Sequence, residues 1–135
     1  MNIQNQTEIS VGIDVGKSQL DVAIYPLERH LRIPNSVEPI SKLIQLLKEL
    51  DVSRIVLEAT GRYEHEFVFA CDKAGLPVCV VDPVKVRRFA QALGIHAKTD
   101  KIDAGVIARF AATMKPEAKP IPDKQSRVIK DLLTR

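Results

Sequence analysis

Residues 9–25, ISVGIDVGKSQLDVAIY, decide the fold. Ile9, Val11 and Ile13 alternate with Ser10 and Gly12, the period of a strand with one buried face. A turn at Val15-Gly16-Lys17 leads into a second alternating run, Leu20, Val22 and Ile24. A weaker third run, Leu31 and Ile33, follows the connection from Pro26 to His30. Three short strands with tight connections make an antiparallel meander.

Beyond the meander the period changes. Ser36 is placed to cap a helix bearing Ile40, Leu43, Ile44, Leu47 and Leu50. Arg54 to Glu58 is short and apolar on both faces, as a buried parallel strand is. A second helix is expected from Gly61, with Tyr63, Phe67, Ala70, Cys71 and Ala74 on its face and Gly75 as its stop. Val78 to Val81 is another buried strand. Asp82-Pro83 supplies a cap and a first-turn proline for a helix ending at Gly94. After a loop over residues 95–99, a last helix carries Ile102, Val106, Ile107, Phe110 and Met114. The order β-β-β-α-β-α-β-α-α predicts an α/β fold: a mixed five-stranded sheet with helices on both faces.

Outside this unit, residues 1–8 form a polar leader. Residues 115–122 hold three prolines and read as a linker. Val128, Ile129, Leu132 and Leu133 mark a new helix from about Asp123, which reaches Arg135 without a stop signal. The chain is therefore expected to be a piece of a longer protein, with its ordered domain over residues 9–114.

Bulk properties exclude several classes. At 135 residues, 45% hydrophobic and 27% charged, the chain suits one globular domain and not a disordered one. No run approaches the roughly 18 apolar residues of a membrane helix, and the start lacks the basic and apolar regions of a signal peptide. Cys71 and Cys79 match no zinc or redox spacing and read as reduced, buried thiols, so a cytoplasmic location is expected. Charge is uneven: residues 1–81 hold eight Lys and Arg against eleven Asp and Glu, whereas residues 82–135 hold twelve against six. That asymmetry points to a polyanion met by the C-terminal part.

Four carboxylates stand where ionised oxygens are costly. Asp14 follows the core of the first strand, Glu58 ends a buried strand, and Asp100 and Asp103 lie three apart at a helix start. Burial of such groups costs several kcal/mol each unless a cation or hydrogen bonds compensate. Asp14 and Glu58 come side by side at the strand ends if their strands are neighbours. Clustered carboxylates without Cys or His are the ligands of Mg²⁺ or Mn²⁺, and two such ions about 4 Å apart can drive phosphodiester chemistry. Read singly, Asp100 is also a helix cap, Asp103 a dipole partner and Asp14 a turn residue; Glu58 has no comparable structural role. Lys85, Arg87, Arg88, Lys98 and Lys101 accompany a single acid across residues 85–101, which suits phosphate contacts but equally a solvated helix face. His96 has no His or Cys partner nearby and reads as a polar contact. Gly12, Gly16, Lys17 and Ser18 approximate a P-loop with one spacer too few and a strand after it, and that reading is rejected.

Three stretches carry a family likeness: GIDVGKSQLDVAIY (12–25), LEATGRYE (57–64) and VVDPVKVRRFAQALGIHAKTDKIDAGVIARFA (80–111). Together they resemble the N-terminal domain of DEDD-type insertion-sequence transposases, a family that includes pilin-gene invertases. The resemblance implies an RNase H-like fold of the RuvC type, with Asp14, Glu58, Asp100 and Asp103 as catalytic, metal-binding acids. It also implies Mg²⁺ or Mn²⁺ as cofactor, DNA as substrate, a structured guide RNA in many members, and a homo-oligomer in the full-length protein. Where relatives commonly read VNP, this chain has Val81-Asp82-Pro83, and either residue serves as a cap. The family's second domain, with its serine nucleophile, has no counterpart here: no serine of the chain sits in a matching context. Two other readings stay open on the residues themselves. A GIDVG opening before a meander also suits a sugar-kinase or actin-like ATPase lobe, and the basic segment suits a non-catalytic nucleic-acid-binding or oligomerisation module.

Overall fold

A computed structural model of the chain describes residues 7–95 and 102–118. Its elements are β1 (Ser10–Val15), β2 (Gln19–Tyr25), β3 (Arg29–Pro34), α1 (Val37–Leu50), β4 (Arg54–Glu58), α2 (His65–Lys73), β5 (Val78–Val81), α3 (Pro83–Ala92) and α4 (Ala104–Met114). The strands form one mixed sheet in the order β3-β2-β1-β4-β5. β1 runs antiparallel to β2 and parallel to β4, and β4 runs parallel to β5.

Alternation along the strands sorts side chains between two layers. Val11, Ile13, Ile55 and Leu57 face α1 and α2, where Ile40, Leu43, Leu47, Phe67 and Cys71 complete a buried core. Val56, Cys79 and Val81 face the other way, against Val86 of α3 and Ile107, Phe110 and Ala111 of α4. Phe89 and Phe110 join those two helices edge to face, with ring centroids 5.6 Å apart. On the same face, the β1 position between Val11 and Ile13 is Gly12. A Cβ there would fall 2.5 Å from the Ala104 carbonyl oxygen and 2.8 Å from the Ile107 carbonyl carbon, so the missing side chain lets α4 lie directly on β1.

Three local expectations need correction. Helix α2 starts at His65, not Gly61. The Thr60 hydroxyl accepts from the N–H groups of Arg62 and Tyr63, and the Glu64 carboxylate accepts from those of Gly61 and Arg62. With Gly61 at φ +83°, these bonds close residues 60–64 into a loop that holds Tyr63 off the helix. Ser36 stands at the start of α1 but makes no side-chain cap bond. Its carbonyl simply accepts from Ile40. Helix α4 begins after Asp103, whose Oδ1 caps it by accepting from Val106 N–H at 3.0 Å. Asp103 therefore holds the cap position rather than the first helical turn. Asp82 caps α3 as expected, accepting from Val84 N–H at 2.9 Å.

Candidate active site at the strand ends

The parallel register of β1 and β4 sets Ile13 beside Leu57. The next residues along each strand are Asp14 and Glu58, so these two carboxylates stand side by side on the α4 face, both half-buried. Burial raises the Glu58 pKa above its ordinary value, the charge of Asp14 raises it further, and the Arg87 guanidinium on α3 pulls it part of the way back. Two acids and a base thus meet at the C-terminal end of the sheet, where ligands of open α/β sheets bind.

Asp103 approaches from α4. With Asp14, it lines a cleft of about 380 Å³ that also includes Asp21, His30, Arg32 and Gly105. Asp21, His30 and Arg32 are not among the site residues that the sequence predicts. Asp21 pairs directly with Asp14 across the β1–β2 hairpin, and Arg32 pairs with Asp21 across β2–β3. Arg32 Nε donates to Asp21 Oδ1 at 2.6 Å, which pairs off the carboxylate opposite Asp14 in the hairpin. The signal was present in the strand period: Leu20, Val22 and Ile24 face the core, so Asp21 must share a face with Asp14.

The basic residues divide. Lys85, Arg87 and Arg88 are exposed on α3, with Arg87 close enough to act on Glu58. Asp100, Lys98 and Lys101 lie outside the described residues, as does His96. Among the described residues, no three His, Cys, Asp or Glu side chains stand close enough to enclose a metal ion. The donor chemistry nevertheless fits a hard divalent cation: Asp14, Glu58 and Asp103 offer only carboxylate oxygens, and Glu58 already responds to the charge of Asp14. A larger hollow of about 580 Å³ between α1 and α2 lies on the opposite face and contains none of the expected site residues. No helix among the described residues is long and apolar enough to cross a membrane.

Comparison with known proteins agrees with this architecture. The pilin gene-inverting protein of Moraxella bovis is 26% identical over 112 residues, covering 78% of this chain and 35% of that protein. Its counterpart from Moraxella lacunata matches to the same extent. The chain thus spans about a third of the length of these curated relatives. Among solved structures, RuvC of T. thermophilus in complex with a Holliday junction substrate superposes with a TM-score of 0.59 at 19% identity, over 85% of this chain and all of that one. A second Thermus thermophilus RuvC structure gives 0.56 at 16% identity, over 82% and 98%. The sheet and its two helical layers are therefore an RNase H-like fold of the RuvC type. The family model described as Transposase, of the DEDD IS110 type, matches residues 11–134, and the chain belongs to that family.

Proposed function

We propose that this chain is the catalytic domain of a DNA transposase or site-specific recombinase that cuts and transfers DNA strands with divalent metal. One observation carries the reading: the β1–β4 register sets Asp14 against Glu58 on the face where α4 brings Asp103. In this reading Asp14, Glu58 and Asp103, with Asp100, would hold two Mg²⁺ or Mn²⁺ ions, which when bound would supply activation of the attacking oxygen and stabilisation of the leaving oxygen of a phosphodiester. The protein's own contribution is placement. The neighbouring strands bring Asp14 and Glu58 to one face, the cap bond holds Asp103, and Arg32 keeps Asp21 paired beside them. Lys85, Arg87 and Arg88, with Lys98 and Lys101, contact phosphates and orient the strand over the acids. In the whole protein, a guide RNA and a second copy of the chain are further partners that the family likeness suggests. The family match over residues 11–134 argues against the kinase-lobe alternative.

The test is a Mn²⁺ titration followed by melting temperature. Binding to the native state alone stabilises by about 2.7 kcal/mol at a hundred times Kd. The wild-type chain should show this rise, and Asp14→Asn should lose it. An equal rise in Asp14→Asn would refute the site. DNA binding that falls with salt yet ignores neutralisation of all the acids, in a chain indifferent to Mn²⁺, would favour the non-catalytic module instead.

A further inference from the structure

Asn35, just beyond β3, joins two loops that are remote in sequence. Its Nδ2 donates to the Gly16 carbonyl at 2.9 Å and to the Tyr63 carbonyl at 3.0 Å, and its backbone N–H donates to the Ser18 carbonyl at 3.0 Å. Gly16 follows Asp14 in the turn after β1, and Tyr63 belongs to the loop after Glu58. Both side-chain partners are carbonyl oxygens, so only the NH₂ half of the amide fits between them. The other half, Oδ1, is buried and has no hydrogen-bond donor among the described residues. A buried acceptor without a donor costs stability, so the two donated bonds, not satisfaction of the whole amide, set where this side chain lies.

The geometry gives the clamp a purpose. Cα pairing of β1 with β4 ends at Ile13 and Leu57, one residue short of the two carboxylates. At that point two like charges face each other, each held by its outer neighbour alone, Asp14 by Asp21 of β2 and Glu58 by Val81 of β5, and the loops that follow diverge. The loop after Glu58 is already closed on itself by Thr60 and Glu64, so a bond to Tyr63 grips a preformed unit. Gly16 is likewise fixed, its N–H donating to the Gln19 carbonyl at 2.9 Å.

We propose that Asn35 is a positioning residue: a two-donor clamp between the loops after Asp14 and Glu58 that fixes the separation at which these carboxylates meet a divalent cation. This rests on the metal-binding reading above.

Two measurements on the full 135-residue chain test it, with Mn²⁺ as the probe. In Asn35→Ala, the hydrogen-bonded amides of Gly16, Arg62 and Tyr63 should exchange with solvent faster together, while those of α1 keep their rates. The Mn²⁺ midpoint should rise about tenfold, the low end of what supporting groups around metal sites cost. Asn35→Asp has the same shape but turns a carboxylate on two carbonyls, and should be worse than Ala on both readouts. A lower metal-free melting temperature with an unchanged Mn²⁺ midpoint would mean a merely structural role and overturn the proposal. So would Asn35→Asp behaving like wild type. A wild-type chain indifferent to Mn²⁺ overturns the metal reading itself, and the exchange rates then still report whether the clamp exists. If neither variant folds, the wild-type chain carries the test. Both side-chain amide protons of Asn35 must be shielded from exchange with water, and free exchange of either overturns the clamp.

Discussion

Replacing Gly12 by Ala puts one methyl group between β1 and α4. The new carbon would sit 2.5 Å from the Ala104 carbonyl oxygen, 2.8 Å from the Ile107 carbonyl carbon and closer still to Ala108 N, where ordinary contact begins near 3.4 Å. All three are backbone atoms, so no rotamer change relieves the overlap, and α4 must lift by about 1 Å. Overpacking of this kind costs about 1–3 kcal/mol, and two rigid backbones place Gly12→Ala at the upper end. Lower chain entropy in the unfolded state returns about 0.4–1 kcal/mol, leaving a net loss of about 2–2.6 kcal/mol. At roughly 4 °C per kcal/mol, where the ranges for smaller and larger domains meet, the melting temperature should fall by about 8–10 °C. Calorimetry and urea unfolding check this, with an unchanged m-value showing that stability has changed and not the compactness of either state. Gly105→Ala is the control: its Cβ would meet only the Asp103 carboxylate at 3.2 Å and the His30 ring at 3.5 Å, both able to give. It should stay within about 1 kcal/mol of wild type. A Gly12→Ala chain melting within about 3 °C of wild type would refute the close approach of α4 to β1.

Glu58→Gln should stabilise the metal-free chain at neutral pH. The folded state raises the Glu58 pKa, so wild-type stability falls as pH climbs from the ordinary glutamate value through the raised one, and Gln escapes that loss. Melting curves in EDTA should show the variant's advantage at pH 7 and none at pH 3; an advantage that does not grow with pH contradicts the reading. Asp103→Ala should cost about 1 kcal/mol through its cap bond, whereas Asp103→Asn keeps the cap but weakens Mn²⁺ binding. Equal Mn²⁺ titrations for Asp103→Asn and wild type would leave Asp103 a cap only. Arg32→Ala should cost less than about 1 kcal/mol in urea unfolding, because its partner bond to Asp21 lies at an exposed edge; a loss above 2 kcal/mol would show that it stabilises more than its own pair. Burial pushes the Cys71 thiol pKa well up, so a thiol reagent should leave Cys71 unmodified until the chain unfolds.

Element order is legible in the sequence because strand alternation and helical spacing differ so plainly between residues 9–34 and 37–50. Placing Asp14 beside Glu58 needs more, namely that β4 docks on β1 and not elsewhere, and that is a tertiary fact. The start of α2 is not legible because side chains, Thr60 and Glu64, take the N–H groups that a helix would leave to solvent. Asp21 escapes notice because it sits mid-strand among apolar neighbours, where a polar residue ordinarily marks the solvent face. The role of Asn35 depends on two carbonyls contributed by distant loops, so no local pattern announces it.

The strand alternation that aims Asp14 and Glu58 has an evolutionary consequence. Deleting the residue just ahead of Ile55, so that the rest of β4 slips by one, would turn Glu58 to the far side and at the same stroke swing Ile55 and Leu57 out of the main core. Loss of the acid pair by sliding is thus punished as unfolding before it is felt as lost chemistry. Lineages can lose the proposed centre by point substitution of the acids, but not by shifting the frame that carries them.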